Sequence, residues 1–374
     1  MGVYIHIPFC IRKCRYCDFY SVEKREWIPA YTAALCGQIQ SAGEDLAGYA
    51  ADTVYLGGGT PSFAGSEATG QILNAVRRRM AVTETAEITL EANPDSGSRK
   101  FFEETRRQGF NRVSLGIQSA SDRELAALGR AHTYAQAKEA YLAAQAAGYD
   151  NISVDMMYGL PGQTVNHAAE TLEKLLELQP QHISAYGLKA EPGTPLFAER
   201  EKLPDDDIQA DMYLDLCRKL RAAGYVHYEI SNFAKPGFES RHNLKYWTLQ
   251  PYLGFGPGAH SFFSGCRYSY PRDLNRFLQG GAIAVPEADE TAGSDEEYIM
   301  LGLRLRRGIE KKEFEERFSK PFDKIEETLQ RYEQAGYTAL EAGRWRLTEP
   351  GFLVSNAILT ELLTADKEET ICAR

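Results

Sequence analysis

Three cysteines near the start of the chain, Cys10, Cys14 and Cys17, are separated by three and two residues. They follow the short β-rich run of residues 3–7, so they stand together on one loop. Thiolates so spaced suit iron, and four-iron clusters are usually tied by four of them. Three thiolates leave one iron open. Amino and carboxylate groups of one molecule can chelate that iron, as those of S-adenosylmethionine can, placing the sulfonium beside a reducible cluster. Electron transfer then breaks a carbon–sulfur bond and yields a 5'-deoxyadenosyl radical, chemistry that belongs to the cofactor while the protein positions and shields it. A structural zinc site would need a fourth ligand and no open position. His6 lies within the strand, and Phe19 occupies the next nearby position where a thiolate might stand. Cys36, Cys217, Cys266 and Cys372 are scattered and read as buried or idle thiols.

Other residues could complete a cofactor pocket. Gly57-Gly58-Gly59-Thr60-Pro61 follows the second β run; its glycines admit a ligand to the backbone and offer N–H and C=O groups to the methionine end of the cofactor. No Gly-Lys-Ser/Thr follows, so it is not a nucleotide P-loop. Glu91, just before Asn93-Pro94, offers a carboxylate to ribose hydroxyls. Gln118 and Asp155 have similar capacity, and Arg130 presents a fork suited to a carboxylate. Tyr4 and Tyr16 bracket the cysteine loop, where they pack on the cofactor or shield the cluster.

The elements that must position these residues alternate. Strands are predicted over residues 3–7, 53–56, 87–90, 112–116, 152–156 and 183–188, with helices between them, among them 98–108, 134–147 and 205–223. That rhythm predicts an α/β fold: a partial (βα)6 barrel of TIM type over residues 1–232. Cys10, the glycine run, Glu91, Gln118, Asp155 and Tyr186 each fall at or just beyond the C-terminal end of a predicted strand, the rim on which parallel barrels assemble active sites. Residues 233–293, rich in Gly, Pro and aromatics, read as irregular backbone laid over the barrel mouth. Residues 294–374 read as a smaller helical, winged-helix-like module, with a hairpin through Ala342-Gly343 and a last helix over 352–363. Its acidic stretch over 310–341 favours a structural or partner-docking role over DNA binding.

The 374 residues are 43% hydrophobic and carry a formal net charge of −10. A core of full size is possible, and no broad basic surface exists for nucleic acid. No apolar run is long enough for a transmembrane segment, and the N-terminus lacks a signal-peptide pattern, so a cytoplasmic location is expected. Seven cysteines, an odd number, fit reduced thiols better than a disulfide framework.

YIHIPFCIRKCRYCDF, YLGGGTPS, LEANPD, SLGIQS, DMMYGLPGQT and RHNLKYW together resemble the HemN-like radical-SAM family, and within it the HemW branch of haem chaperones. The resemblance implies a 4Fe-4S cluster on Cys10, Cys14 and Cys17, and S-adenosylmethionine sites lined by Tyr4, Tyr16, Gly58, Gly59, Thr60, Glu91, Gln118, Arg130 and Asp155. It implies haem as cargo, apo-haemoproteins such as respiratory enzymes as recipients, and an electron donor for the cluster. His242, Asn243, Tyr246 and Trp247 match the branch's HNxxYW motif, which the branch associates with haem; a histidine is a common axial ligand and aromatic faces flank a porphyrin. His260 and His227 are weaker candidates. The alternative is the oxidase branch, an oxygen-independent coproporphyrinogen III dehydrogenase of porphyrin biosynthesis that forms protoporphyrinogen IX by oxidative decarboxylation. Phe19, where the oxidase motif has a further cysteine, and the nine residues before Cys10, where oxidases carry an extension, speak for the chaperone.

Overall fold

The computed structural model describes the chain except residues 44, 45, 47, 282, 287–291, 373 and 374, with backbone alone over 365–372; the Cys372 thiol lies outside the described residues. All six predicted strands are present. They are β1 (Gly2–Ile7), β2 (Ala50–Gly58), β3 (Ala81–Ala92), β4 (Arg112–Gln118), β5 (Ile152–Tyr158) and β6 (His182–Gly187), neighbours in that order and parallel throughout. The helices between and after them are α1 (Ile28–Gln40), α2 (Pro61–Arg79), α3 (Arg99–Gln108), α4 (Asp122–Ala127), α5 (Tyr134–Ala146), α6 (Val165–Leu176) and α7 (Asp206–Ala222). Sequence punctuation sets their ends. Thr133 and Thr164 close capping boxes, Ser98 and Asp205 cap the starts of α3 and α7, and Gly109 ends α3 at φ 100°.

Each barrel strand alternates. Val3, Ile5 and Ile7, Val54 and Leu56, Val113, Leu115 and Ile117, and Ile152 and Val154 are buried in one core that includes residues of the covering helices. The intervening residues, among them Tyr55, Glu91, Arg112, Ser114, Asp155 and Ser184, line an interior cavity instead. The period of two therefore separates an apolar outer face from a polar inner one.

Residues 233–293 depart from expectation. Far from being irregular, their described residues help to widen the sheet on both sides. β7 (Val226–Glu229) and β8 (Asn232–Ala234) extend it antiparallel beyond β6. After α8 (Arg241–Trp247), β9 (Tyr252–Phe255) pairs parallel with β1, followed by β10 (His260–Phe263), β11 (Cys266–Ser269), α9 (Leu274–Leu278) and β12 (Val285–Pro286). Nor does the HNLKYW segment cover the mouth. It forms α8, whose side chains meet Asp52, Thr53 and Tyr252 at or near the start of β2 and β9, and whose first amides meet Glu87 in β3. Those contacts place it at the N-terminal end of the barrel, opposite the cysteine loop.

The last segment runs α10 (Asp295–Gly302), β13 (Ile309–Glu310), α11 (Lys311–Phe318), α12 (Asp323–Gln334), β14 (Thr338–Glu341), β15 (Arg344–Leu347), α13 (Glu349–Leu353) and α14 (Ser355–Cys372), with a three-stranded sheet in the order β13-β15-β14. This is the expected winged-helix arrangement. Ala342 and Gly343 turn the hairpin with φ of 51° and 78°, the two positive values a two-residue type I′ turn requires. The module is tied to the barrel where Ile230 N–H donates to Arg304 O and Arg306 N–H to Tyr228 O, both at 3.0 Å. Trp345, 2% exposed, packs in a core with Phe314, Phe322 and Leu329. Trp345→Ala should therefore destabilise the protein by about 3–5 kcal/mol, seen as a lowered denaturant midpoint; a change below about 1 kcal/mol would show that the module's packing does not contribute to global stability.

Candidate cluster and cofactor site

The cysteine loop leaves β1 and is pinned along its length. Val22 N–H donates to Pro8 O and Cys10 N–H to Val22 O, Cys17 N–H reaches Cys14 O, and Arg15 N–H reaches Leu128 O. Arg12 donates from its guanidinium to the carbonyls of Gly129 and Arg130. Tyr16 packs on a small apolar cluster of Leu128, Met157, Leu160, Leu188 and Leu196 beneath the loop. The result is that Cys10, Cys14 and Cys17, none of them in a disulfide, all line one cavity of about 530 Å³.

Polar side chains reach two of the three sulfurs. Thr60 Oγ1 lies 3.5 Å from Cys10 Sγ, and Arg130 Nη1 lies 3.5 Å from Cys14 Sγ. Asn93 joins the two: its Nδ2 donates to Thr60 Oγ1 at 2.9 Å, and its Oδ1 accepts from Arg130 Nη2 at 2.7 Å. Arg130 Nη2 also donates to Gly116 O at 2.7 Å. Gly116 permits this convergence, because a Cβ there would stand 2.8 Å from Asn93 Oδ1, 3.0 Å from Gln118 Nε2 and 3.2 Å from Arg130 Nη2. Gln118, just past a register irregularity between β4 and β5, holds a φ of 71°, an uncommon conformation for a residue other than glycine and one that clusters at functional sites.

Deeper in the cavity, Glu91 accepts from Tyr55 Oη at 2.7 Å and from Gly58 N–H at 3.1 Å. Asp155 accepts from Ser114 Oγ at 3.2 Å. Arg112, 2% exposed, lines the same cavity, and its Nε has no hydrogen-bond partner among the described residues. Burial is the main influence on both acids. It pushes the Glu91 carboxyl up to about 7 against the pull of Tyr55, and it raises Asp155 against hydrogen bonds from Ser184 and Ser114. Burial likewise raises the thiols of Cys10 and Cys17.

Of the sequence-predicted residues, the cavity wall brings together Cys10, Cys14, Cys17, Tyr16, Gly58, Gly59, Thr60, Glu91, Gln118, Arg130, Asp155 and Asn243. Tyr4 is not among them: it lies a layer away, its Oη 3.1 Å from His6 Nδ1 and its ring beside Tyr55 and His242. Asp155 sits mid-strand, because β5 continues to Tyr158. Tyr246 and Trp247 do not line the cavity either; Tyr246 packs on His242 and Tyr252, and Trp247 faces Tyr298 and Ile309 of the C-terminal module. His242 likewise lies away from the cavity wall. It is 1% exposed, with Nδ1 2.8 Å from Thr53 Oγ1 and Nε2 2.8 Å from Tyr246 Oη. His227 is buried against Phe233. Sequence reading passed over Asn93, Tyr55, Arg112 and Ser114. The alternation in RVSLGIQ was a usable signal, since it places Arg112, Ser114, Gly116 and Gln118 on one face.

A partial parallel barrel with three cysteines on the loop after its first strand defines the radical-SAM class, and the model of the radical SAM superfamily matches residues 4–175. The HemN C-terminal domain model matches residues 296–354. Curated relatives extend along nearly the whole chain. The heme chaperone HemW of Escherichia coli is 36% identical over 98% of both chains, that of Haemophilus influenzae 34% over 98% of both, and that of Bacillus subtilis 33% over 97% of this chain and 99% of its own. The chain belongs to the HemW family. Among solved structures, the coproporphyrinogen III oxidase HemN of Escherichia coli, a radical SAM enzyme, superposes with a TM-score of 0.82 over 96% of this chain and 89% of its own, at 21% identity, which establishes a shared fold.

The raised Glu91 carboxyl has a consequence in the protein without cofactors. The folded chain keeps that proton up to about pH 7, whereas an unfolded glutamate releases it near pH 4.5, so folding stability attributable to Glu91 falls as pH rises from about 4.5 to 7. The loss should be on the order of 3 kcal/mol. Glu91→Gln should flatten that part of a denaturation-against-pH curve; an unchanged slope would show that Glu91 ionises normally.

Proposed function

We propose that this protein carries haem to apo-haemoproteins in the cytoplasm, and that Cys10, Cys14 and Cys17 hold a 4Fe-4S cluster whose open iron takes S-adenosylmethionine. The observation that carries the haem reading is the 33–36% identity to heme chaperones over nearly the whole of both chains. No helix among the described residues is long and apolar enough to cross a membrane. The residues present fit the cofactors. Three unpaired thiols face one cavity, hydrogen-bond donors approach two of the sulfurs, and the unpartnered Arg112 Nε awaits an acceptor.

When bound, the cluster supplies one electron to the sulfonium of S-adenosylmethionine. The chain's own residues do the holding. The Arg130 guanidinium brings positive charge and a hydrogen-bond donor to Cys14 Sγ. Gly58 and Gly59 admit the methionine end, Glu91 accepts from ribose hydroxyls, and Gln118 and Asp155 supply further polar contacts around the nucleoside. Tyr16 shields the loop from beneath.

For haem, the histidines sort by burial. His6, His132, His182, His227 and His242 are buried, and His167 closes the capping box of α6. His260 is exposed at the start of β10, directly after the turn that follows β9. Because β9 runs parallel to β1, this places His260 at the same end of the barrel as the cysteine loop. Phe19, 68% exposed, belongs to that mouth. We assign His260 as the axial ligand and Phe19 as an apolar contact for the porphyrin face.

Three measurements test the reading. Anaerobic reconstitution should give about four iron and four sulfide per chain, and Cys14→Ala should abolish them; equal iron in the variant would refute the ligand set. His260→Ala should change the haem absorption spectrum and weaken retention while His242→Gln leaves the spectrum unaltered; the opposite pattern would restore His242. Decarboxylation of coproporphyrinogen III at catalytic turnover would replace the chaperone reading with the oxidase.

A further inference from the structure

Helix α8 carries the HNLKYW motif yet reaches the cofactor cavity directly only through Asn243. Its remaining contacts lead inward. The amides of Arg241 and His242 donate to the two carboxylate oxygens of Glu87 at 3.0 and 2.9 Å, and Lys245 Nζ donates to Asp52 Oδ2 at 2.9 Å. The helix is thereby clamped to the floor of the barrel, with the His242 ring fixed by Thr53 and Tyr246. That ring stacks on Tyr55 at 5.1 Å between centroids and 27° between planes. Tyr55 in turn donates to Glu91. On the other side, the backbone makes room for the same pair: a Cβ on Gly57 would stand 2.8 Å from Tyr55 Cε1 and 2.9 Å from Glu91 Cδ. Tyr55 is thus held between the missing side chain of Gly57 and the imidazole face of His242.

We infer that His242 is a positioning residue for S-adenosylmethionine, acting through the stacked ring of Tyr55 to aim the Glu91 carboxylate at the ribose. The inference rests on the reading of Glu91 given above. The hydrogen bond from Tyr55 and that from the Gly58 amide each occupy one carboxylate oxygen, which fixes the plane of the carboxylate while leaving each oxygen a lone pair for a ribose hydroxyl. Losing the His242 face frees the Tyr55 ring to rotate and releases Glu91 from one of its two anchors. The motif then supports the cofactor site from the far end of the barrel without touching the cofactor.

The test is S-adenosylmethionine affinity, measured by equilibrium binding to the cluster-loaded protein, with folding checked by thermal melts. Tyr55→Phe should weaken binding about tenfold, the scale of one lost charge-assisted hydrogen bond. Its affinity should also fall away at a higher pH than the parent's, because Glu91 loses the bond that favours its ionised form. His242→Gln, which keeps polar groups but removes the ring face, should weaken binding several-fold, and the double variant should be no weaker than Tyr55→Phe alone. His242→Phe, which keeps the face, should stay within about twofold of the parent, and this comparison decides the matter should the glutamine variant not fold. Multiplying effects in the double variant, or parental affinity in His242→Gln, would overturn the inference. Glu91→Ala separates the two readings. Parental affinity in that variant refutes the ribose assignment itself, whereas weak binding there beside parental binding in His242→Gln refutes only the role of His242.

Discussion

The Arg130 guanidinium is the junction on which the rim of the barrel depends. Burial disfavours a cation there, but Tyr16, Cys14 and Asp95 around it more than offset that cost and raise its pKa. It touches the β4 backbone at Gly116, the residue after β3 at Asn93, and the loop after β1 at Cys14. Through Asn93 it is joined to Thr60 after β2 and so to Cys10. Four consecutive elements of the parallel sheet are thus held in register by one planar, permanently charged group, a task that the point charge of a lysine would not perform. Two of the three sulfurs thereby lie against donors that the chain itself supplies.

The barrel interior carries the matching constraint. Its outer strand faces are apolar and packed, so the inner faces are left to polar residues that must satisfy one another or a ligand. Tyrosines and histidines do much of this work near the floor, where Tyr4, Tyr55, His242 and Tyr246 stack and hydrogen-bond. Arg112, in register with Tyr55 through Thr89, lines the same cavity and retains an unmatched Nε.

Much of this was legible in the sequence. Strands β1 to β6 announce themselves as alternating β-branched runs with helices between them, and Cys10, Gly58, Glu91 and Gln118 converge as their places at the rim imply. The wing was legible too, because Ala342-Gly343 between two short β runs leaves few other turns. What failed has physical reasons. Strands β9 to β12 are two to four residues long and broken by glycines, so no periodicity survives to reveal them. Helix α8 has seven residues, and only its long-range bonds to Asp52, Thr53 and Glu87 show which end of the barrel it closes. Tyr4 seemed to flank the cysteine loop because it lies six residues from Cys10, but strand rise carries it toward the floor. Asn93 was read as punctuation before a proline, although it is the bridge between Thr60 and Arg130.

The hydrogen bonds that pin the cysteine loop come from the chain itself, so the loop should be ordered in the apo protein. Residue-resolved amide hydrogen exchange of the apo protein tests it most directly, because Cys10, Arg15 and Val22 donate backbone hydrogen bonds within this framework. These amides should exchange at least about a hundredfold more slowly than free chain without iron, with only a small further slowing on reconstitution. Exchange at free-chain rates until the cluster is added would contradict it, and would mean that the metal, and not Arg130 and its partners, builds the site.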